Sequence, residues 1–218
     1  MKRKYLVYSI LLVLVMVMTA CSTKEDEIDT NMQQESEETM ESEEMVVDTT
    51  VPEEVKNYKA PTEIGDNLFD YNFKLEGVLY TLPCPVSELL KNGFEIEERC
   101  DLVVEAGGKG SLYLQYNGQI YECLAYNRAD YNTIIENCWV GSVKANSSNS
   151  NFDLEVINGI KLDMTGEELR SRLEGIDYII EDEEYYIIEN PSNPYDIGYE
   201  FVVYDDVIWE IELDRYVQ

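Results

Sequence analysis

The side chains that could do chemistry in this chain are carboxylates and thiols. It carries 45 Asp and Glu residues, 5 cysteines and no histidine. Without an imidazole there is no Ser-His or Cys-His nucleophile pair and no histidine general base, and the commonest zinc ligand is missing. No Gly-x-Ser-x-Gly, phosphate-binding loop or dinucleotide fingerprint occurs; Gly107-Gly108-Lys109-Gly110 lies between strand-like segments and reads as a turn. Paired acids are the remaining route to hydrolysis. Glu122 and Glu210 occupy matching places in two similar stretches, which makes them the least arbitrary pair, but cross-strand surface charge explains them better. Glu181-Asp182-Glu183-Glu184, Asp205-Asp206 and Asp196 offer oxygens to calcium without the alternating acids and glycine of a calcium loop. The expectation is a non-enzymatic protein with no cofactor and no metal site.

Cys84, Cys100, Cys123 and Cys138 show no Cys-x-x-Cys spacing. An even count permits two disulfides in any of three pairings. Cys123 falls on the core face of a predicted hairpin, where a free thiol packs as a small apolar side chain, and free thiols are the favoured reading.

The fifth cysteine belongs to a different problem. Lys2, Arg3 and Lys4 precede an apolar run from Tyr5 to Met18, too short for the roughly 20 residues of a membrane span and suited to an export signal. The run ends in Met18-Thr19-Ala20-Cys21-Ser22, which resembles the lipobox of bacterial lipoproteins. That resemblance implies a signal peptide over residues 1–20, lipidation of Cys21, and an extracytoplasmic protein held to the cell membrane by acyl chains. Lys24 to Val55 then carries 13 acidic residues against one basic with no hydrophobic period. Such a segment cannot bury enough apolar surface to offset its ordering entropy, so residues 21–60 are expected to form a disordered, self-repelling tether. Stretched at about 3.5 Å per residue it would reach on the order of 100 Å from the membrane.

The net charge of -29 leaves the folded part strongly acidic as well. This disfavours nucleic acid and anionic lipid and favours solubility, cationic partners or divalent metal ions.

The elements that must position any site are written twice. Tyr116-Asn117-Gly118-Gln119-Ile120-Tyr121-Glu122-Cys123 matches Tyr204-Asp205-Asp206-Val207-Ile208-Trp209-Glu210-Ile211 as strand, tight turn and strand. Each follows a short helix, between Pro85 and Gly93 and between Thr165 and Gly175, the second opened by the capping box Thr165-Gly166-Glu167-Glu168. The expected fold class is α+β: two tandem repeats, residues 61–148 and 149–218, each a short helix with an antiparallel sheet. Alternation places Leu112, Leu114, Tyr121, Cys123 and Ala125 on a core face, matched by Glu200, Val202, Trp209, Ile211 and Leu213. Tyr113, Ile120, Glu122, Tyr199, Phe201, Ile208 and Glu210 then share an opposite face, mixed aromatic and acidic, which is either a protein-docking surface or peripheral core covered by linker residues or a second sheet.

Gly159-Ile160 through Met164-Thr165-Gly166-Glu167-Glu168-Leu169 to Gly175 resembles the repeat of the beta-lactamase-inhibitor-protein-like and SmpA/OmlA lipoprotein group. It implies a sheet with a concave docking surface; the group's paired helices are absent here, so no activity is carried over. Leu82-Pro83-Cys84-Pro85-Val86-Ser87 and Asn92-Gly93-Phe94 are similar to uncharacterised surface lipoproteins of anaerobic Gram-positive bacteria. The functional expectation is a surface lipoprotein that binds an envelope or extracellular protein; the alternative is a small-ligand or divalent-cation binding lipoprotein of an uptake or sensing system.

Overall fold

The computed structural model describes residues 46–147, 153–177, 179–181, 184–193, 195 and 198–215. The chain divides into Met1–Glu43 and Glu44–Gln218, and the fold described is that of the second unit. The expected signal peptide and Cys21 lie outside the described residues. No helix among the described residues is long and apolar enough to cross a membrane.

Three tight turns set the architecture. Glu76-Gly77 joins β1 (Asn72–Leu75) to β2 (Val78–Thr81), with Leu75 opposite Val78. Both turn residues have positive φ, the geometry that matches the twist of a hairpin. Asn117-Gly118 does the same after β3 (Cys84–Pro85), β4 (Glu95–Ile96), β5 (Val103–Val104) and β6 (Lys109–Tyr116), turning the chain into β7 (Gln119–Tyr126). After β8 (Thr133–Ile134), β9 (Trp139–Asn146), β10 (Leu154–Val156), β11 (Ile160–Lys161), β12 (Ile179–Glu181), β13 (Tyr185–Ile188) and β14 (Gly198–Tyr204), the third turn is Asp205-Asp206. It tolerates left-handed φ at two non-glycine residues and leads into β15 (Val207–Asp214).

The result is a mixed fold dominated by antiparallel sheet, with few and short helices. A nine-stranded sheet runs β12-β13-β14-β15-β9-β7-β6-β4, with β3 also on β9. A four-stranded sheet runs β11-β10-β1-β2, and β5 pairs β8 apart from both. The small sheet covers the inner face of the large one. Phe73, Leu75, Tyr80, Leu154 and Val156 share a single buried cluster with Leu112, Leu114, Tyr121, Tyr199, Phe201 and Ile211. Tyr199 stacks on Tyr71 at 6.0 Å, and its hydroxyl donates to the Leu68 carbonyl at 2.7 Å.

Among the described residues, three short α-helices accompany the sheets: α1 (Glu53–Lys56), α2 (Val86–Lys91) and α3 (Gly166–Arg172). The capping box at Thr165 forms as expected, its hydroxyl accepting from the Glu168 amide at 3.1 Å while the Glu168 carboxylate accepts from the Thr165 amide at 2.8 Å. Pro85 and Gly93, the latter at φ 94°, bracket α2.

Two features depart from the sequence expectation. The folded part starts earlier than residue 61. The Asp48 amide donates to the Asn132 carbonyl, the Asp48 carbonyl accepts from the Thr133 hydroxyl at 2.6 Å, and Val55 in α1 is buried against Trp139. An apolar anchor three residues after Pro52 is too sparse to register against an acidic background.

The second departure reverses part of the face assignment. In β15, Ile208 pairs Val203 and Glu210 pairs Val202, so Trp209 is an extra residue in a β-bulge. One added residue inverts the alternation beyond it. Ile208, Ile211 and Leu213 therefore all point inward with Tyr199, Phe201 and Val203. Tyr199, Phe201 and Ile208, expected on the docking face, are buried at 1%, 0% and 0% exposure and cannot contact a partner. The first hairpin has no bulge between its own strands, and its expected core face of Leu112, Leu114, Tyr121, Cys123 and Ala125 is buried as read.

Candidate binding surface

The outer face of the large sheet is assembled from cross-strand neighbours. One row of directly paired residues runs Tyr113, Glu122, Lys144, Glu212, Glu200, Ile187 and Ile179 across β6, β7, β9, β15, β14, β13 and β12. At about 4.8 Å between strands it spans roughly 29 Å. A parallel row runs Asn146, Glu210, Val202 and Tyr185. The middle is thus acidic and the two ends are apolar or aromatic. Among the expected docking residues, Tyr113, Ile120, Glu122 and Glu210 are on this face.

Lys144 is the one basic residue in these rows. Its ammonium lies 2.9 Å from Glu212 and 3.2 Å from Glu210. Burial works against its charge, but hydrogen bonds and the field of Glu212 and Glu210 outweigh that and hold its pKa above the ordinary lysine range. The Ser142 hydroxyl donates to the second oxygen of Glu212 at 3.1 Å. At the β6 end the Arg99 guanidinium sits over the Tyr113 ring, 3.8 Å from its centroid. Between these groups lies an open depression of 260 Å³, floored by Tyr113, Glu122, Leu124, Ser142 and Lys144. The face thus already accommodates cationic side chains, one by carboxylates and one by an aromatic ring.

The apolar end is exposed. Ile179 is 46% and Tyr185 39% accessible. Half-buried Ile187 pairs Ile179, Val202, only 8% exposed, pairs Tyr185, and β12 ends the order of paired strands. Sequence reasoning missed this end, because straight alternation through Trp209 sent Val202 inward. At the opposite corner the outward Tyr126 and Trp139 are covered by Val55 and Tyr58, so residues expected in the tether close part of the face.

The four cysteines of the folded unit are free and buried. Burial pushes the thiol of Cys138 up to about 12 and those of Cys84 and Cys123 well above the ordinary range, which keeps them protonated and poor nucleophiles. Among the described residues no group of three or more Cys, Asp and Glu is arranged to hold a metal ion.

No known family, curated protein or solved structure matches the chain.

Proposed function

We propose that this chain is a lipid-anchored surface protein that binds another envelope or extracellular protein, without catalysis, through the outer face of its large sheet. The observation that carries the reading is the row from Tyr113 to Ile179, acidic in the middle and apolar at both ends. It suits a partner with a basic centre flanked by apolar side chains: the apolar ends supply area removed from water, and the carboxylates select charge and steer approach. The lipobox at Cys21 and the acidic stretch from Lys24 support display away from a membrane.

Two tandem repeats remain part of this reading. In support, β1, β2, α2, β6 and β7 are followed in the same order by β10, β11, α3, β14 and β15, and β1 pairs β10. Stacked repeats of this kind build extended binding faces.

The test is capture from native envelope and culture medium by the full chain, against a variant carrying Tyr113→Glu, Ile120→Glu and Ile187→Glu. A protein held by the wild type, released by moderate salt and lost with the variant, while both melt alike, is the expected result. Equal capture by both overturns the assignment of the face.

A further inference from the structure

We propose that residues 46–58 form an exchangeable arm, and that the groove they occupy accepts the same arm from a second copy of this chain. The arm lies along the far corner of the sheet as a ligand would. Its backbone bridges Thr133 in parallel at Asp48, and its Thr50 carbonyl accepts from the Asn137 amide at 3.2 Å. Glu54 sits 3.3 Å from the Arg128 guanidinium, which itself lies over the Trp139 ring. Val55 is the anchor, 4% exposed against Trp139, and Tyr58 meets the same ring edge-on at 6.5 Å.

Three observations make this arm separable. Val55 and Trp139 form a cluster of their own, apart from the main core, and Tyr58 is the arm residue that also packs against that core. The arm's partners on the body, Thr81, whose amide donates to the Tyr58 hydroxyl at 3.0 Å, and Arg128, Thr133 and Asn137, lie beyond the connecting segment, so nothing in the contacts requires the arm and the groove to belong to one molecule. Lys59 to Glu63, exposed except for half-buried Pro61, connect the arm to the body before the Ile64 carbonyl is held by Asn72 at 3.1 Å. Those five residues span up to about 17 Å when extended, enough to deliver the arm to an adjacent copy. Beside the arm a cavity of 310 Å³, bounded by Pro52, Glu53, Arg128, Tyr131 and Trp139, marks incomplete packing rather than a sealed joint.

This is the arrangement from which identical elements exchange between protomers. The chain's own arm competes at an effective concentration on the order of millimolar, so exchange prevails where copies are held at comparable density or where one arm is disabled. The groove lies at the Tyr126 and Trp139 corner, away from the acidic rows, and the proposal does not rest on the docking face.

Complementary variants of the full chain test it in mild detergent. Tagged Val55→Asp places a carboxylate against Trp139, freeing the groove. Untagged Trp139→Ala, or Arg128→Glu should the former fail to fold, spoils the groove and keeps the arm. Mixed, they are expected to co-purify at 1:1, at least tenfold above a control pairing tagged with untagged Val55→Asp, and millimolar peptide of residues 46–58 should release the captured chain. Acrylamide quenching in a Trp209→Phe background reports whether Trp139 becomes accessible. Trp139 accessible with no co-purification above control overturns the exchange. Trp139 still shielded in Val55→Asp overturns the separable arm itself.

Discussion

Val55→Ala should open the arm without loosening the domain. The substitution removes two methyl groups from a side chain that is 4% exposed, and at about 0.8 kcal/mol per buried methylene-sized group it costs the docked arm about 1.6 kcal/mol. Since about 1.4 kcal/mol is a factor of ten, the open population rises roughly fifteen-fold. Hydrogen exchange reads this directly. The Asp48 amide, bonded to the Asn132 carbonyl at 2.9 Å, and the α1 amides of Lys56 and Asn57 should all exchange about fifteen-fold faster. The Ile208 amide, bonded to the Met164 carbonyl at 2.7 Å inside the main core, should keep its rate while the arm opens on its own. Unchanged exchange at Asp48 would show that Val55 does not hold the arm. Equal acceleration at Asp48 and Ile208 would show that the arm and the core open together, and the reasoning would fail.

Other consequences can be checked one by one. Deleting Trp209 should leave a cooperatively unfolding protein, weakened by no more than about 2 kcal/mol, because without the bulge residue Ile208, Glu210 and Ile211 simply alternate and keep their present faces; loss of folding would refute the bulge as the source of the face reversal. Gly198→Ala should destabilise by about 3 kcal/mol or more in denaturant titration, since φ is 87° there and a Cβ would stand 2.2 Å from the Ile188 carbonyl oxygen. Glu155 is held below its ordinary pKa by Lys74 first, against a smaller burial penalty and with help from Lys161. Its contribution is therefore present above the unfolded carboxylate range and lost as pH falls through the lowered folded value. Glu155→Gln should flatten the acid limb of the stability curve and change little in its shape above neutrality. Native protein should resist a thiol reagent at Cys84, Cys100, Cys123 and Cys138 and react fully once unfolded.

Much of the fold was legible because local chemistry and tertiary pattern agree. Asn117-Gly118, Asp205-Asp206 and the Thr165 box each demand one backbone geometry, and each forms it. The inner face of β6 and β7 followed from strict alternation. The docking face was only half legible. Tyr113, Ile120, Glu122 and Glu210 were placed outward, whereas Tyr199, Phe201 and Ile208 were misassigned, because a single bulge at Trp209 leaves no mark in composition and yet puts Ile208 on the same face as Ile211 and Leu213. The arm was hidden for a different reason. Val55, Tyr58, the Glu54 to Arg128 ion pair and a few hydrogen bonds hold it, and such contacts carry no periodicity. Long-range pairing made the row from Tyr113 to Ile179, and sequence alone cannot order strands across a sheet.

The central claim is that the outer face, and not another surface, meets the partner. A photocrosslinking amino acid placed in turn at Tyr113, Ile120, Ile187 and, as a control on another exposed surface, Tyr195 of the full chain displayed on its native membrane measures this most directly. The account predicts one discrete adduct of the same mass from the first three positions, weakened by salt, and none from Tyr195. Adducts from Tyr195 alone, or a pattern indifferent to position, would contradict it.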